Sequence, residues 1–194
     1  IIVSLNKFIY TTLLAVLFFS CSTKKNKPLN KGYHAMVSSY NVLFNGAVSI
    51  EEGLLQTGNS FSENFWEVLP IEKIKISDEI ITVDGIDNAN FIKGEEKAAK
   101  TIQKHSMIIN GTQENSKIAN AYLLLGKARY LDQRFVPALD AFNQVYKHMA
   151  INDELEESII WKAKCNIRLE QEGSAIDLLK NLLKKEKINP RNKA

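Results

Sequence analysis

The sequence predicts an all-α protein in which helical hairpins are stacked as an α-solenoid, with an irregular loop insertion at about residues 57–92. Two observations carry this prediction. The stretch 119–152 has the pattern of two amphipathic helices joined by a short turn. A weaker copy of the same pattern follows at 156–189, and internal repetition at such a period is typical of solenoids.

The stretch 119–152 has small and large residues at the spacing of a tetratricopeptide (TPR) repeat. Gly126 and Ala138 are small enough to let two helices approach closely, and Phe142 can fill the space beside them. Counted from Ala119 in a frame of about 34 residues, the positions that agree without a gap are Tyr122, Leu125, Gly126, Ala128, Phe135, Ala138, Leu139 and Phe142. This agreement predicts a TPR-like helical hairpin.

The weaker copy, 156–189, repeats the alternation of small and large residues 37 positions later. Ala163 takes the place of Gly126, and Ala175 takes the place of Ala138. The copy departs from the repeat pattern where Lys162 replaces Leu and Glu172 replaces an aromatic residue, so we expect Trp161 to cover the gap. The second helix is expected to stop at Asn189-Pro190, because Pro ends helices. No capping helix follows, so the array is expected to continue in a longer protein.

The amino terminus, residues 1–20, has the pattern of a bacterial lipoprotein signal peptide. Lys7 precedes a largely apolar run at 8–19, which is shorter than the ~20 residues that span a bilayer. A small residue, Ser20, stands directly before Cys21. This predicts acylation of Cys21 and attachment to a membrane through lipid. The alternatives are an ordinary cleaved signal or a buried helix with a chance Cys.

Residues 21–32 are predicted to be a flexible tether, because they are polar, basic and contain one Pro. The tether lacks the acidic run that resembles a surface-export signal in Bacteroidetes lipoproteins. The expected location is therefore the outer membrane, with the protein anchored on the periplasmic side.

The chain after the tether begins with a predicted helical hairpin. A first helix should run from Tyr33 to about Asn45 and end at Asn45-Gly46. Ser49 and Glu52 have the spacing of a capping box, which would open a second helix to about Gln56. This pair of helices is predicted to be an amino-terminal TPR-like unit.

The loop insertion is rich in aromatic residues. Phe65, Trp66 and Leu69 are expected to clamp it to the helices, although Phe65 and Trp66 could instead form a ligand platform. Two short strands are possible at 72–76 and 80–83. Helical spacing resumes near Asn90.

The residues that could carry chemistry are scattered. His34, His105 and His148 lie far apart in sequence, and no nucleophile, base and orienting group can be assembled, so we predict no catalytic site and no enzyme. No metal, cofactor or small-molecule substrate is expected. A net charge of +3 is too small to predict nucleic-acid binding. Cys165 is expected to be a buried small residue rather than a reactive thiol.

Binding of a protein segment is the favoured function, because the first helices of TPR hairpins line a concave surface. The alternative is that Leu123 and Tyr130 merely pack on neighbouring helices. The residues predicted to line the partner groove are Asn120, Leu123, Lys127, Tyr130, Leu131, Glu157, Ile160, Lys164 and Ile167.

The stretches 64–70, 96–107 and 121–142 resemble the amino-terminal region of the SprE/PorW lipoproteins of Bacteroidetes, and 21–25 and 40–46 fit as well. The resemblance implies a TPR-containing outer-membrane lipoprotein of the type IX secretion system, tied to gliding motility in gliding species. It implies other proteins of the secretion machinery as partners, and a full-length chain much longer than this one. The family has no known catalytic residues to carry over, so the only site that the resemblance implies for this sequence is the acylated Cys21.

Three other functions remain open. A nutrient-binding lipoprotein resembling SusD would bind glycans on exposed aromatics, with Trp66 or Trp161 as candidates. An outer-membrane assembly lipoprotein resembling BamD would bind barrel components, although that family has more regular repeats than 57–92 allows. An enzyme would need catalytic residues in a missing carboxyl part.

Overall fold

The structure of the chain is a computed structural model that describes residues 22–74, 88–148, 152–185 and 189. The predicted signal peptide and Cys21 lie outside the described residues. The all-α fold is confirmed, because the described ranges form helices that pack against their neighbours in chain order. The elements are α1 (Pro28–Val37), a π-helical segment (Ser38–Leu43), α2 (Phe44–Ser60), α3 (Ala89–His105), β1 (Ile108–Ile109), β2 (Thr112–Gln113), α4 (Ile118–Leu131), α5 (Phe135–His148), α6 (Asn152–Arg168) and α7 (Glu172–Leu183).

The helices form a stack in which each one packs on the next, and α4 also contacts α2 and α6. Contacts between a helix and the next but one arise because consecutive hairpins lie side by side. The main core follows from this arrangement and is centred on α4. Its buried side chains are Ile50, Phe91, Ala98, Leu123, Leu124, Leu125, Ala128, Tyr130, Leu131, Phe135, Ala138, Ala141, Phe142, Val145 and Cys165.

Helices α4 and α5 form the predicted hairpin. A Cβ atom on Gly126 would lie 2.5 Å from Cζ of Phe142, so the aromatic ring occupies the space that the glycine leaves. Ala138 is also fully buried at the contact. The chain turns between the helices with Gln133 in the left-handed region at φ +63°. The prediction that small residues allow these two helices to touch is confirmed.

Helices α6 and α7 form a second hairpin at the predicted place. Ala163 and Ala175 are both buried, as their small size predicts. Trp161 lies between the rings of Tyr130 and Phe142, with centroids 5.2 and 6.0 Å away, and so packs the second hairpin onto the first. The predicted end of the last helix at Asn189-Pro190 is wrong, because α7 ends at Leu183.

The predicted amino-terminal hairpin is wrong, because helix continues from Pro28 to Ser60 without a turn. Gly46 allows a close approach between helices here, since a Cβ atom would lie 2.7 Å from Cδ2 of Leu124. Ser49 does not cap a helix; its hydroxyl donates to the Asn45 carbonyl, at 3.0 Å. The wider turn of the π-helical segment keeps buried residues at a spacing of four on one face. These buried residues are Asn30, His34, Ser38, Val42 and Gly46.

The predicted tether is also shorter than expected, because residues 28–32 belong to α1. The residues before α1 are held against it: Nδ2 of Asn30 donates to the Ser22 carbonyl at 2.6 Å. Lys31 forms an ion pair with Glu114 at 2.5 Å, which fixes the helix to the segment after β2. Ser22 is therefore held against α1, although residues 24–29 are exposed.

The loop insertion begins after Ser60 and ends before Ala89, so it is shorter than predicted. The expected aromatic clamp is wrong. Phe65 and Trp66 are 76% and 97% exposed, and Leu69 is also exposed. Asn64 forms a local turn, in which its side-chain oxygen accepts a hydrogen bond from the backbone N–H of Trp66 at 3.2 Å. Residues 75–87, which include most of the predicted strands, lie outside the described residues.

Between α3 and α4 the chain forms a small β-hairpin. Ile108 pairs with Gln113 and Ile109 with Thr112. Asn110 and Gly111 connect the strands with φ of 51° and 80°, a conformation typical of tight hairpin turns.

Candidate partner-binding surface

The predicted groove residues divide into a buried set and a paired set. Leu123, Tyr130 and Leu131 are at most 5% exposed and belong to the core. The prediction that these three line an open groove is therefore wrong, because they pack on neighbouring helices. For Leu123 and Tyr130 this is the alternative that the sequence left open. Ile160 is partly buried against a small cluster around Ile159, whereas Ile167 is 51% exposed.

The polar members of the set join α4 to α6. Nδ2 of Asn120 donates to Glu154 at 3.2 Å. Lys127 forms an ion pair with Glu157 at 2.5 Å. Both pairs link residues of the first helices of the two hairpins, so the surface formed by α4 and α6 is continuous and rich in charge. We call it the inner surface.

The insertion crosses the inner surface and places the carboxylate of Glu72 on it. The hydroxyl of Tyr130 donates to Oε2 of Glu72 at 2.6 Å. Lys164 and Arg168 donate to the two carboxylate oxygens, each at 2.8 Å. Arg168 also donates to the Tyr130 hydroxyl at 3.1 Å. We name these three donors, Tyr130, Lys164 and Arg168, the carboxylate cradle.

The cradle changes the proton affinity of its members. Burial alone would raise the pKa of Glu72, but hydrogen bonds from Lys164, Tyr130 and Arg168 outweigh it and lower the pKa from 4.5 to about 2. Burial, together with the hydrogen bond to Glu72, raises the pKa of Tyr130. Glu72 is therefore ionised and Tyr130 is neutral at physiological pH, which is the arrangement in which the phenol donates and the carboxylate accepts.

Trp161 extends the inner surface beside the cradle. The ammonium group of Lys164 lies 4.4 Å from the centre of the indole ring, a distance at which a cation and an aromatic face attract. Lys127 approaches the same ring at 5.5 Å. The indole is half-buried between Tyr130 and Phe142, so it serves packing and leaves no flat face free for a sugar ring.

An open cavity of about 760 Å³ lies beside the cradle, between the end of α2 and the insertion. Its wall combines the apolar residues Phe61, Val68, Pro70 and Ile74 with neutral polar side chains and with one acidic and one basic residue, Glu67 and Arg168. The mixed lining does not by itself favour a ligand of one charge.

Sequence reasoning identified Tyr130 and Lys164 but missed Glu72 and Arg168. Arg168 stands four positions after the predicted groove residue Lys164 on α6 and so shares its helical face, which means that a helical projection of α6 could have suggested it. Glu72 lies in the insertion, 92 residues before Lys164, and no local pattern marks it as their partner.

Sequence reasoning also missed the contact between His34 and His105. Their Nδ1 atoms are 2.9 Å apart, so one ring donates to the other according to the tautomers. Burial, and then the charges of His34 and Lys104, lower the pKa of His105. Within the described ranges, no group of three or more His, Cys, Asp or Glu side chains is placed to hold a metal ion.

Cys165 is fully buried on α6, as predicted. Burial raises the pKa of its thiol to about 12, so the reactive thiolate is rare at physiological pH.

Comparison of the chain with protein-family models and with curated proteins found no match. Among the helices in the described residues, none combines the length and the apolar character needed to cross a membrane.

Proposed function

We propose that this chain is the amino-terminal part of a lipid-anchored TPR scaffold. It would join proteins of the type IX secretion machinery at the periplasmic face of the outer membrane. The observation that carries the proposal is the carboxylate cradle, in which Tyr130, Lys164 and Arg168 of two stacked helical hairpins hold the carboxylate of Glu72. The lipoprotein motif at Cys21 and the resemblance to the SprE/PorW lipoproteins support the anchor and the secretion system.

The cradle has the chemistry of a site for protein segments. Arg and Lys side chains that hold a carboxylate through charged hydrogen bonds recognise acidic side chains or a chain terminus. Glu72 occupies this place through a covalently attached segment, so a partner carrying a carboxylate would have to displace it. The inner surface would then be the partner site, and the insertion would compete with the partner for it.

The lipid anchor is tested by labelling cells with a palmitate analogue. The wild-type chain should take up the label, and Cys21→Ala should not. Equal labelling of both would contradict the anchor.

The partner proposal is tested by crosslinking in intact membranes, followed by purification of the full-length protein. Secretion-system proteins should be recovered with wild type and lost with Lys164→Glu combined with Arg168→Glu. The matched control is Lys180→Glu combined with Lys184→Glu, which reverses two exposed lysines of α7 and its carboxyl end that take no part in the cradle. Recovery of carbohydrate-uptake proteins in place of secretion components would contradict the proposal.

A second candidate, glycan binding as in lipoproteins resembling SusD, is favoured by the exposed rings of Phe65 and Trp66. It predicts that oligosaccharides change the fluorescence of the wild-type chain and not that of Trp66→Ala. The absence of a saturable fluorescence change would count against this candidate.

A further inference from the structure

The outer side of the amino-terminal helix carries a row of exposed apolar side chains. Met36, Tyr40 and Phe44 each stand two positions from buried residues of the same helix, and two positions correspond to about half a turn. They therefore point away from the core, and they are 57%, 74% and 64% exposed. Leu29 and Tyr33 extend the row towards the start of α1. We call these five residues the outer row.

The chain segment that contains the outer row carries charged side chains of one sign, and the carboxylates of Glu51 and Glu52 follow it on α2. Residues 22–44 contain four lysines and no Asp or Glu. Lys24, Lys25 and Lys27 are exposed, whereas Lys31 is paired with Glu114. Exposed lysines directly before a helix with an apolar, aromatic face are a combination that suits the interface of an anionic membrane.

The start of the described chain places the proposed lipid next to this face. Asn30 holds the Ser22 carbonyl at 2.6 Å, so Ser22 lies beside the first turn of α1. Cys21 is the preceding residue, and consecutive Cα atoms are about 3.8 Å apart. Acyl chains on Cys21 would therefore enter the bilayer close to Leu29, with no long tether to hold the helix away from the surface.

We infer that the outer row docks on the membrane, with Met36, Tyr40 and Phe44 in the headgroup region and the three exposed lysines on anionic lipid. This inference rests on the proposed acylation of Cys21. We choose a lipid surface over a second copy as the occupant because exposed lysines next to an apolar row with aromatic side chains match the charge and polarity of an anionic membrane interface. Docking would fix the orientation of the solenoid relative to the membrane.

The test uses the full acylated chain in vesicles that contain phosphatidylglycerol with brominated acyl chains, which quench indole fluorescence on contact. Tyr40→Trp should show strong quenching beyond that of wild type. Tyr146→Trp, a matched change at an exposed tyrosine on α5, should show none. Equal quenching in both variants, or in neither, would overturn the inference.

A second measurement tests the lysines in the full chain carrying Cys21→Ser. Replacement of Lys24, Lys25 and Lys27 by Gln should weaken partition onto phosphatidylglycerol vesicles by roughly tenfold to a hundredfold. The control replaces three exposed lysines of the last helix and its end, Lys180, Lys184 and Lys185, by Gln and should leave partition unchanged. Equal weakening by both sets would contradict a specific basic face.

The outcomes separate this inference from the proposed anchor. Palmitate labelling of Cys21 without quenching at Tyr40→Trp would keep the anchor and overturn the docking. Quenching at Tyr40→Trp without palmitate labelling would overturn the anchor and show docking through the outer row alone. A protein that is dimeric and shows no quenching at Tyr40→Trp would overturn the docking. If Met36→Glu combined with Phe44→Glu then converted this dimer to a monomer, a second copy would be shown to cover this face.

Discussion

Replacement of Glu72 by Gln removes the charge that the carboxylate cradle holds while keeping the size of the side chain. The fall in the pKa of Glu72 from 4.5 to about 2 corresponds to about 3 kcal/mol of stabilisation of the ionised form. Lys164 is 39% exposed, so solvent screening reduces this value. We expect Glu72→Gln to lower the free energy of unfolding by about 1–2 kcal/mol at pH 7.

The stabilisation should depend on pH with a definite sign. The pKa of Glu72 is lower in the folded protein than in the unfolded chain, so the unfolded chain binds the proton more tightly. The contribution of Glu72 is therefore complete above about pH 4.5 and is lost as pH falls towards 2. Urea unfolding of wild type and Glu72→Gln at several pH values should show their difference shrinking across this range.

The matched control is Glu63→Gln, which breaks an exposed ion pair between Glu63 and Lys73 in the same insertion. It should change the free energy of unfolding by less than about 0.5 kcal/mol. Limited proteolysis gives a second readout, since loss of the Glu72 contact should speed cleavage within 61–74. A destabilisation by Glu72→Gln no larger than that of Glu63→Gln, or one independent of pH, would refute the reasoning.

Three further predictions concern the hairpin contact, the cradle and the histidine pair. Gly126→Ala should destabilise the fold by about 1–3 kcal/mol because the new methyl group overlaps Phe142. Gly173→Ala is the control, because a Cβ atom there meets nothing within 4 Å, and equal melting temperatures of the two variants in thermal unfolding would contradict the prediction. Tyr130→Phe should lower the free energy of unfolding by about 1–2 kcal/mol in the wild-type background and by less in the Glu72→Gln background, because the Tyr130 hydroxyl donates to Glu72. A double-mutant cycle that shows no coupling between the two residues would contradict this. Burial, with the charges of His34 and Lys104, lowers the folded-state pKa of His105, so the unfolded chain binds the proton more tightly and the free energy of unfolding should fall as pH drops below about 6.5. His105→Gln should reduce this dependence of stability on pH, and an unchanged dependence would contradict the assignment.

The central hairpin could be predicted because its signal is local. Gly126, Ala138 and Phe142 meet across one short turn, and their spacing determines which sides of α4 and α5 face each other. Residue size then decides how closely the helices approach. The second hairpin followed from the same pattern, with Ala163 and Ala175 at its contact.

The amino-terminal helix could not be predicted in the same way. Asn45-Gly46 has the composition of a turn, and Ser49 with Glu52 has the spacing of a cap. A helix that packs on α3 and α4 needs a small residue where it crosses them, and Gly46 supplies it. Tertiary packing therefore outweighs the local preference of these residues for a turn.

The candidate site depended even more on the tertiary structure. Tyr130 and Lys164 could be assigned to the first helices of their hairpins, but the choice between a buried and an open position depends on what packs against them. Glu72 and the contact between His34 and His105 join residues 58 or more positions apart. No periodicity links such residues, because their approach is set by how the whole stack folds.

The sequence by itself determined the class of fold, the position of the two hairpins and the burial of Cys165, because residue size and helical spacing act over a few residues. Only the tertiary structure decided that the amino-terminal helix is continuous, that its outer row faces away from the core and that Glu72 occupies the inner surface. These features depend on charge and shape complementarity between distant segments, which arises when the helices are packed together.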